Sequence, residues 1–188
     1  MQAGNAWLAD GEGQRAVTAF DAALRAGASM SEQLKGEVRL DRARALVALN
    51  RLALARADLD EALRLVPADP LAWYLSAALA RRANDLPRAR TDIARARQLS
   101  GDDPDILLEA GTIAGRSGDM VEAERLYREV VRVAPTSDAG RAAAAGLPEV
   151  GSSAAQGQVA APAAPAPTPP PPAPESRRQG SPASAPRR

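Results

Sequence analysis

An all-α solenoid of stacked helix–turn–helix repeats is the fold class that the sequence predicts, and three observations predict it. First, four independent series recur at one spacing of 34 residues: Asp69-Pro70 with Asp103-Pro104; Asn50, Asn84 and Gly118; Ala55, Ala89 and Ala123; Leu59, Ile93 and Tyr127. Second, each period holds two stretches with apolar residues at helical spacing. Third, the residues between those stretches are the ones that start and stop helices.

The elements follow in order. Residues 70–84, PLAWYLSAALARRAN, read as a first helix that ends at a turn around Asn84-Asp85. Residues 86–100, LPRARTDIARARQLS, read as its partner. Asp69 and Asp103 are N-caps, each followed by Pro at the first helical position, where a missing N–H costs nothing. Asp119 with Glu122 reads as a capping box after Gly118, which closes the preceding helix. Asn and Gly suit these turns because both tolerate left-handed backbone. After Pro135, TSDAGRAAAAGL reads as a terminal helix covering the last apolar face.

These residues resemble the tetratricopeptide repeat. The family's small-residue positions fall on Ala43, Ala77 and Gly111, on Ala55, Ala89 and Ala123, and on Ala62, Ala96 and Val130. Its tryptophan position holds Arg39, Trp73 and Leu107, and its proline position holds Pro67, Gly101 and Pro135. The match is strong at the small positions and weaker at the aromatic ones, where Leu46, Ala80 and Ala114 stand in one series. Gly4, Trp7, Gly11, Ala16, Phe20 and Ala23 fit an earlier, incomplete repeat, with extra residues in the loop near Gly27–Ser31. The expected organisation is a repeat domain over 1–147 (repeats at about 1–30, 36–69, 70–103 and 104–137, then a capping helix) and a disordered tail over 148–188.

The tail reading rests on composition. Of the 38 residues in 151–188, ten are Pro and ten are Ala, and Val159 is the only larger apolar side chain. Such a segment buries too little surface to offset the entropy of ordering it, and Pro169–Pro172 has polyproline II character. It serves either as a spacer or as a ligand for an aromatic-lined groove. It also holds four Arg and one Glu, which leaves the body at −2 against +1 for the whole chain. A body of that sign disfavours nucleic acid as a partner.

Chemistry is constrained by what is missing. The chain has no Cys and no His, so it contains no disulfide, no thiolate or imidazole metal ligand and no Ser-His-Asp constellation. No catalytic residue, cofactor or metal site is expected. Asp102, Asp103 and Asp105 cluster, but capping by Asp103 accounts for them and the pattern of a calcium loop is missing. Arg88, Arg90, Arg95 and Arg97 alternate with Asp92 and read as a solvated outer helix face. No stretch is long and apolar enough to span a membrane.

By the resemblance, the first helix of each pair lines a concave groove. The residues it would present are Asn5, Glu37, Asp41, Arg44, Tyr74, Arg81, Arg82, Asp105, Glu109, Thr112 and Arg116. Such a mixed groove suits an extended peptide or a helix, and Arg and Tyr are frequent anchors. The carboxylate clamp of chaperone-binding members is absent in either possible register: Met1, Asn5, Asp41, Leu71 and Leu75, or Leu40, Arg44, Leu75, Asp105 and Glu109, occupy its positions. The expected function is a non-enzymatic protein–protein scaffold. The alternative is the C-terminal repeat region of a longer protein whose catalytic or signalling part lies upstream. The compartment stays open: cytoplasmic for the chain as it stands, periplasmic if a signal peptide precedes it. The sequence leaves the oligomeric state open as well.

Overall fold

The structure, a computed structural model, describes residues 2–147, and every regular element in them is helical. In order these are α1 (Gln2–Ala9), α2 (Gly13–Ala26), a short 3-10 turn (Gly27–Ser29), α3 (Glu32–Ala48), α4 (Leu52–Leu65), α5 (Pro70–Arg82), α6 (Leu86–Leu99), α7 (Pro104–Arg116), α8 (Met120–Val133) and α9 (Asp138–Gly146). The disorder and polyproline II character expected of the Pro/Ala-rich tail lie outside the described residues.

Helix starts follow the side chains that cap them. Asp69 accepts from the Leu71 N–H, Asp103 from the N–H groups of Asp105 and Ile106, and Ser31 from that of Leu34. Pro70 and Pro104 sit in the first turn, as their fixed φ allows. The capping box at Asp119 forms by half. Asp119 accepts from the Glu122 N–H at 3.1 Å, but the Glu122 carboxylate turns outward to Arg125. The Asp119 N–H bonds instead to the Ala114 carbonyl. That bond belongs to the preceding helix end, so the reciprocal half of the box has no donor left to satisfy.

The same closure recurs in all four turns. Glu12, Arg51, Asp85 and Asp119 donate to the carbonyls of Trp7, Leu46, Ala80 and Ala114. The residue before each has positive φ: Gly11 at 75°, Asn50 at 57°, Asn84 at 61° and Gly118 at 86°. This is the left-handed helix stop that Gly and Asn serve best. It folds α2 back on α1, α4 on α3, α6 on α5 and α8 on α7.

The small residues then set the helix spacing. Ala55, Ala62, Ala77, Ala89 and Ala96 are fully buried. A Cβ on Gly36 would lie 2.8 Å from Val66 Cγ1, and one on Gly111 would lie 2.6 Å from Tyr127 Cε1. Phe20, Leu59, Leu107, Ile113 and Leu126 fill the spaces between. The apolar core is continuous in character but falls into two clusters, one from α2 to α5 and one from α5 to α9.

The two layers of helices are not equally spaced. The first helices α1, α3, α5 and α7, with α9 after them, each touch the next in the row. Between successive second helices, cavities of about 380, 250 and 210 Å³ open instead. A two-layer stack that is tighter on one side curves toward that side. The α1, α3, α5, α7 row is therefore the inner, concave one.

Candidate functional site

The inner row divides into an ionic half and an apolar half. In the ionic half, α5 and α7 bring together Tyr74, Arg81, Asp105 and Glu109. Arg81 Nε donates to Glu109 Oε1 at 2.6 Å. Glu109 is buried to 7% exposure, which a carboxylate tolerates only when paired. Burial pushes the Tyr74 phenol above its ordinary ionisation range, and the neighbouring Glu109 and Asp105 carboxylates add to the effect against Arg81. Tyr74 is half-buried and Asp105 is exposed, so the cluster presents one hydroxyl and one carboxylate to solvent over a neutralised pair.

In the apolar half, α3, α4 and α5 enclose a cavity of about 150 Å³ lined by Ala43, Arg44, Val47, Leu59 and Leu75. Four of these five are aliphatic. Arg44 forms its polar rim, half exposed, with its nearest carboxylate at Asp41, 3.5 Å away. Leu71, on the same helix as Leu75, is exposed as well.

The remaining expected groove residues are on the same row of helices but outside these two groups. Arg82 and Arg116 lie at the turn edge, where each donates to the turn asparagine of the preceding helix pair: Arg82 to Asn50 at 3.0 Å and Arg116 to Asn84 at 3.2 Å. The Thr112 hydroxyl donates to the Leu108 carbonyl within α7 and accepts from Tyr127 at 3.4 Å. Glu37 accepts from Gln33 on its own helix. Asn5 is exposed on α1, apart from the other candidates.

Two groups of buried charge go beyond the sequence-based expectations, and the second corrects one of them: Asp92, read with Arg88 as part of a solvated outer helix face, is buried and bound by its neighbours. Asp58, 2% exposed, takes Arg42 at 2.7 Å and Arg39 at 3.1 Å, and Arg42 continues to Asp21. Asp92, 5% exposed, accepts from the Ser76 hydroxyl and from Arg88 at 3.4 Å, and Arg56 donates to Ser76 at 2.8 Å. The sequence does carry a signal for them: Asp58 and Asp92 stand one period apart, as do Arg42 and Ser76 opposite them. These networks join α3 to α4 and α5 to α6 across the two layers; Asp21, Arg39, Arg42 and Asp58 line one outer cavity, and Arg56 and Arg88 line another. Among the described residues no cluster of acidic side chains could hold a metal ion. None of their helices is long and apolar enough to cross a membrane.

Comparison with known proteins agrees with this architecture. A family model described as tetratricopeptide repeat matches residues 40–104 and 79–144, together more than half of the chain. No curated protein matches. Among solved structures, the chain is similar to residues 41 to the end of MamA from Desulfovibrio magneticus RS-1, at 23% identity and a TM-score of 0.63, covering 73% of this chain and 75% of that one. It is similar to YrrB, described as a TPR protein with an unusual peptide-binding site, at 20% identity and a TM-score of 0.63, covering 76% and 71%. It is also similar to TTC0263, a thermophilic TPR protein of Thermus thermophilus, at 19% identity and a TM-score of 0.66, covering 76% of both chains. At these identities the likeness is one of fold.

Proposed function

The chain belongs to the tetratricopeptide-repeat family, and from that premise we propose that it is a non-enzymatic scaffold that holds a segment of another protein along the α1–α3–α5–α7 face. In this reading residues 1–147 form the repeat domain, with repeats at about 1–30 (incomplete), 36–69, 70–103 and 104–137 and a capping helix to 147.

One observation carries the reading: an open aliphatic cavity and a half-buried polar cluster stand side by side on the inner row. Apolar anchors fixed by a few placed polar groups are how such grooves hold peptides. The outer face offers less, because its buried carboxylates are already bound by arginines of the same chain. YrrB, of the same fold, is described as having a peptide-binding site, which lends the reading support by analogy.

The test is capture of partners from native extract by the immobilised full chain. A triple variant, Arg44→Ala, Tyr74→Ala and Arg81→Ala, should lose the captured proteins while keeping its helical circular dichroism. An outer-face control, Arg95→Ala with Arg128→Ala, should retain them. Intact capture by the triple variant would place the binding surface elsewhere.

A further inference from the structure

The inner row also says which kind of segment it is suited to hold. Resting on the groove reading above, we propose that the α3–α5 half of the groove selects an extended segment with one apolar side chain flanked by a carboxylate, the apolar group filling the cavity and the carboxylate pairing with Arg44.

The cavity sets the first requirement. At about 150 Å³, open to the groove and with an almost wholly aliphatic lining, it has room for a benzene-sized apolar group and offers water few hydrogen-bond partners. That corresponds to one side chain between leucine and phenylalanine. A polar side chain would find no partner among Ala43, Val47, Leu59 and Leu75 and would be left unsatisfied.

Charge sets the second. Arg44 is the one polar residue lining the cavity, and its side chain is 52% exposed. Its contact with Asp41, at 3.5 Å and through Nη1, leaves most of its donors uncommitted. A guanidinium fork with free donors matches a carboxylate in bidentate geometry. The α5–α7 half behaves differently. There Arg81 is spent on Glu109, and Asp105 is exposed, so that half does not favour a second carboxylate.

The experiment is a selection. A displayed library of random peptides is panned on the immobilised full chain, in parallel with Arg44→Glu, a half-exposed position whose replacement leaves the core untouched. Wild type should enrich an aliphatic or phenyl side chain with Asp or Glu within two positions. Arg44→Glu should keep the apolar preference and exchange the acid for Lys or Arg. A synthetic peptide of the wild-type consensus should bind Arg44→Glu at least roughly tenfold more weakly by fluorescence anisotropy, the scale of a lost charge-assisted hydrogen bond. If the enriched peptides show no acidic preference, or the preference survives Arg44→Glu, the proposal is overturned. The groove reading then still stands provided that Tyr74→Ala or Arg81→Ala weakens those peptides. Peptides indifferent to all three substitutions would overturn both.

Discussion

Arg82 Nη2 lies 3.0 Å from Asn50 Oδ1, and Arg116 Nη2 repeats the relation with Asn84 Oδ1 one period later, at 3.2 Å. Each asparagine therefore does two things: it takes the left-handed backbone that ends a helix, and it ties its turn to the next helix pair.

The two roles separate by substitution at Asn84. Its φ of 61° is one that a β-carbon makes costly, though asparagine is more tolerant than most. Asn84→Gly keeps the backbone and loses only an exposed hydrogen bond, so stability should change by less than about 0.5 kcal/mol. Asn84→Ala loses the bond and strains the turn as well, for about 1 kcal/mol or more. Thermal denaturation of the two variants decides the matter. If they melt together below wild type, the side-chain tie outweighs the backbone.

Asp58 should be the most sensitive charged residue on the outer side. It is 2% exposed and holds two guanidiniums, Arg42 and Arg39, whose side chains are themselves 22% and 29% exposed. Asp58→Ala leaves both without their shared partner. The cost should be about 3 kcal/mol, the lower end for breaking a buried pair, because the arginines can still reach water. Replacing Arg42 and Asp58 together by leucine should recover most of it, since apolar packing replaces a pair whose desolvation was itself unfavourable. Chemical denaturation measures both. A double variant no better than the single one would mean that the Arg42–Asp21 contact carries the stability instead.

The ionisation of Tyr74 reports on the ionic half of the groove. Its phenol is raised by burial first and by Glu109 and Asp105 after that. A raised value means that the folded chain favours the neutral phenol. This contribution to stability is complete below the unfolded value of about 10 and is lost as pH rises through the folded one. Glu109→Gln removes the carboxylate that raises it most and leaves the opposing charge of Arg81, so the ionisation should move down. Phenolate absorbance in a Tyr127→Phe background follows Tyr74 alone. An unmoved titration would mean that burial sets the value and that Glu109 is electrostatically silent there.

The helices are legible in the sequence because their ends are local. Asp69-Pro70 and Asp103-Pro104 start helices through contacts within three residues, and Asn50, Asn84 and Gly118 stop them by backbone geometry alone. The site is legible only in part. Tyr74, Arg81, Asp105 and Glu109 are recognisable as candidates and do meet. Val47 and Leu75 are not, because an apolar residue at a groove position looks like core until the neighbouring helix is placed. Arg82 and Arg116 read as groove residues, but their partners lie 32 positions back, in another repeat. Contacts between repeats depend on superhelix geometry, which no single period encodes.

Ala89 tests both the repeat register and the locality of the stack. It is fully buried in the apolar cluster that also holds Ala77, Ile93 and Ala96. Ala89→Trp forces a large ring into a site with no space, so it should cost about 1–3 kcal/mol by overpacking. Thr91→Trp, two residues along the same helix on an exposed surface, should leave the melting temperature nearly unchanged. In a solenoid each unit rests mainly on its neighbours. The damage should therefore appear in hydrogen exchange as faster opening of α5, α6 and α7, with the α2–α3 amides least affected. If protection were lost evenly from α2 to α9, the stack would be behaving as one cooperative core, and the division into two apolar clusters would have no energetic meaning. If Ala89→Trp kept the wild-type melting temperature, Ala89 would not be the point of closest helix approach, and the register built on Ala55, Ala89 and Ala123 would fail with it.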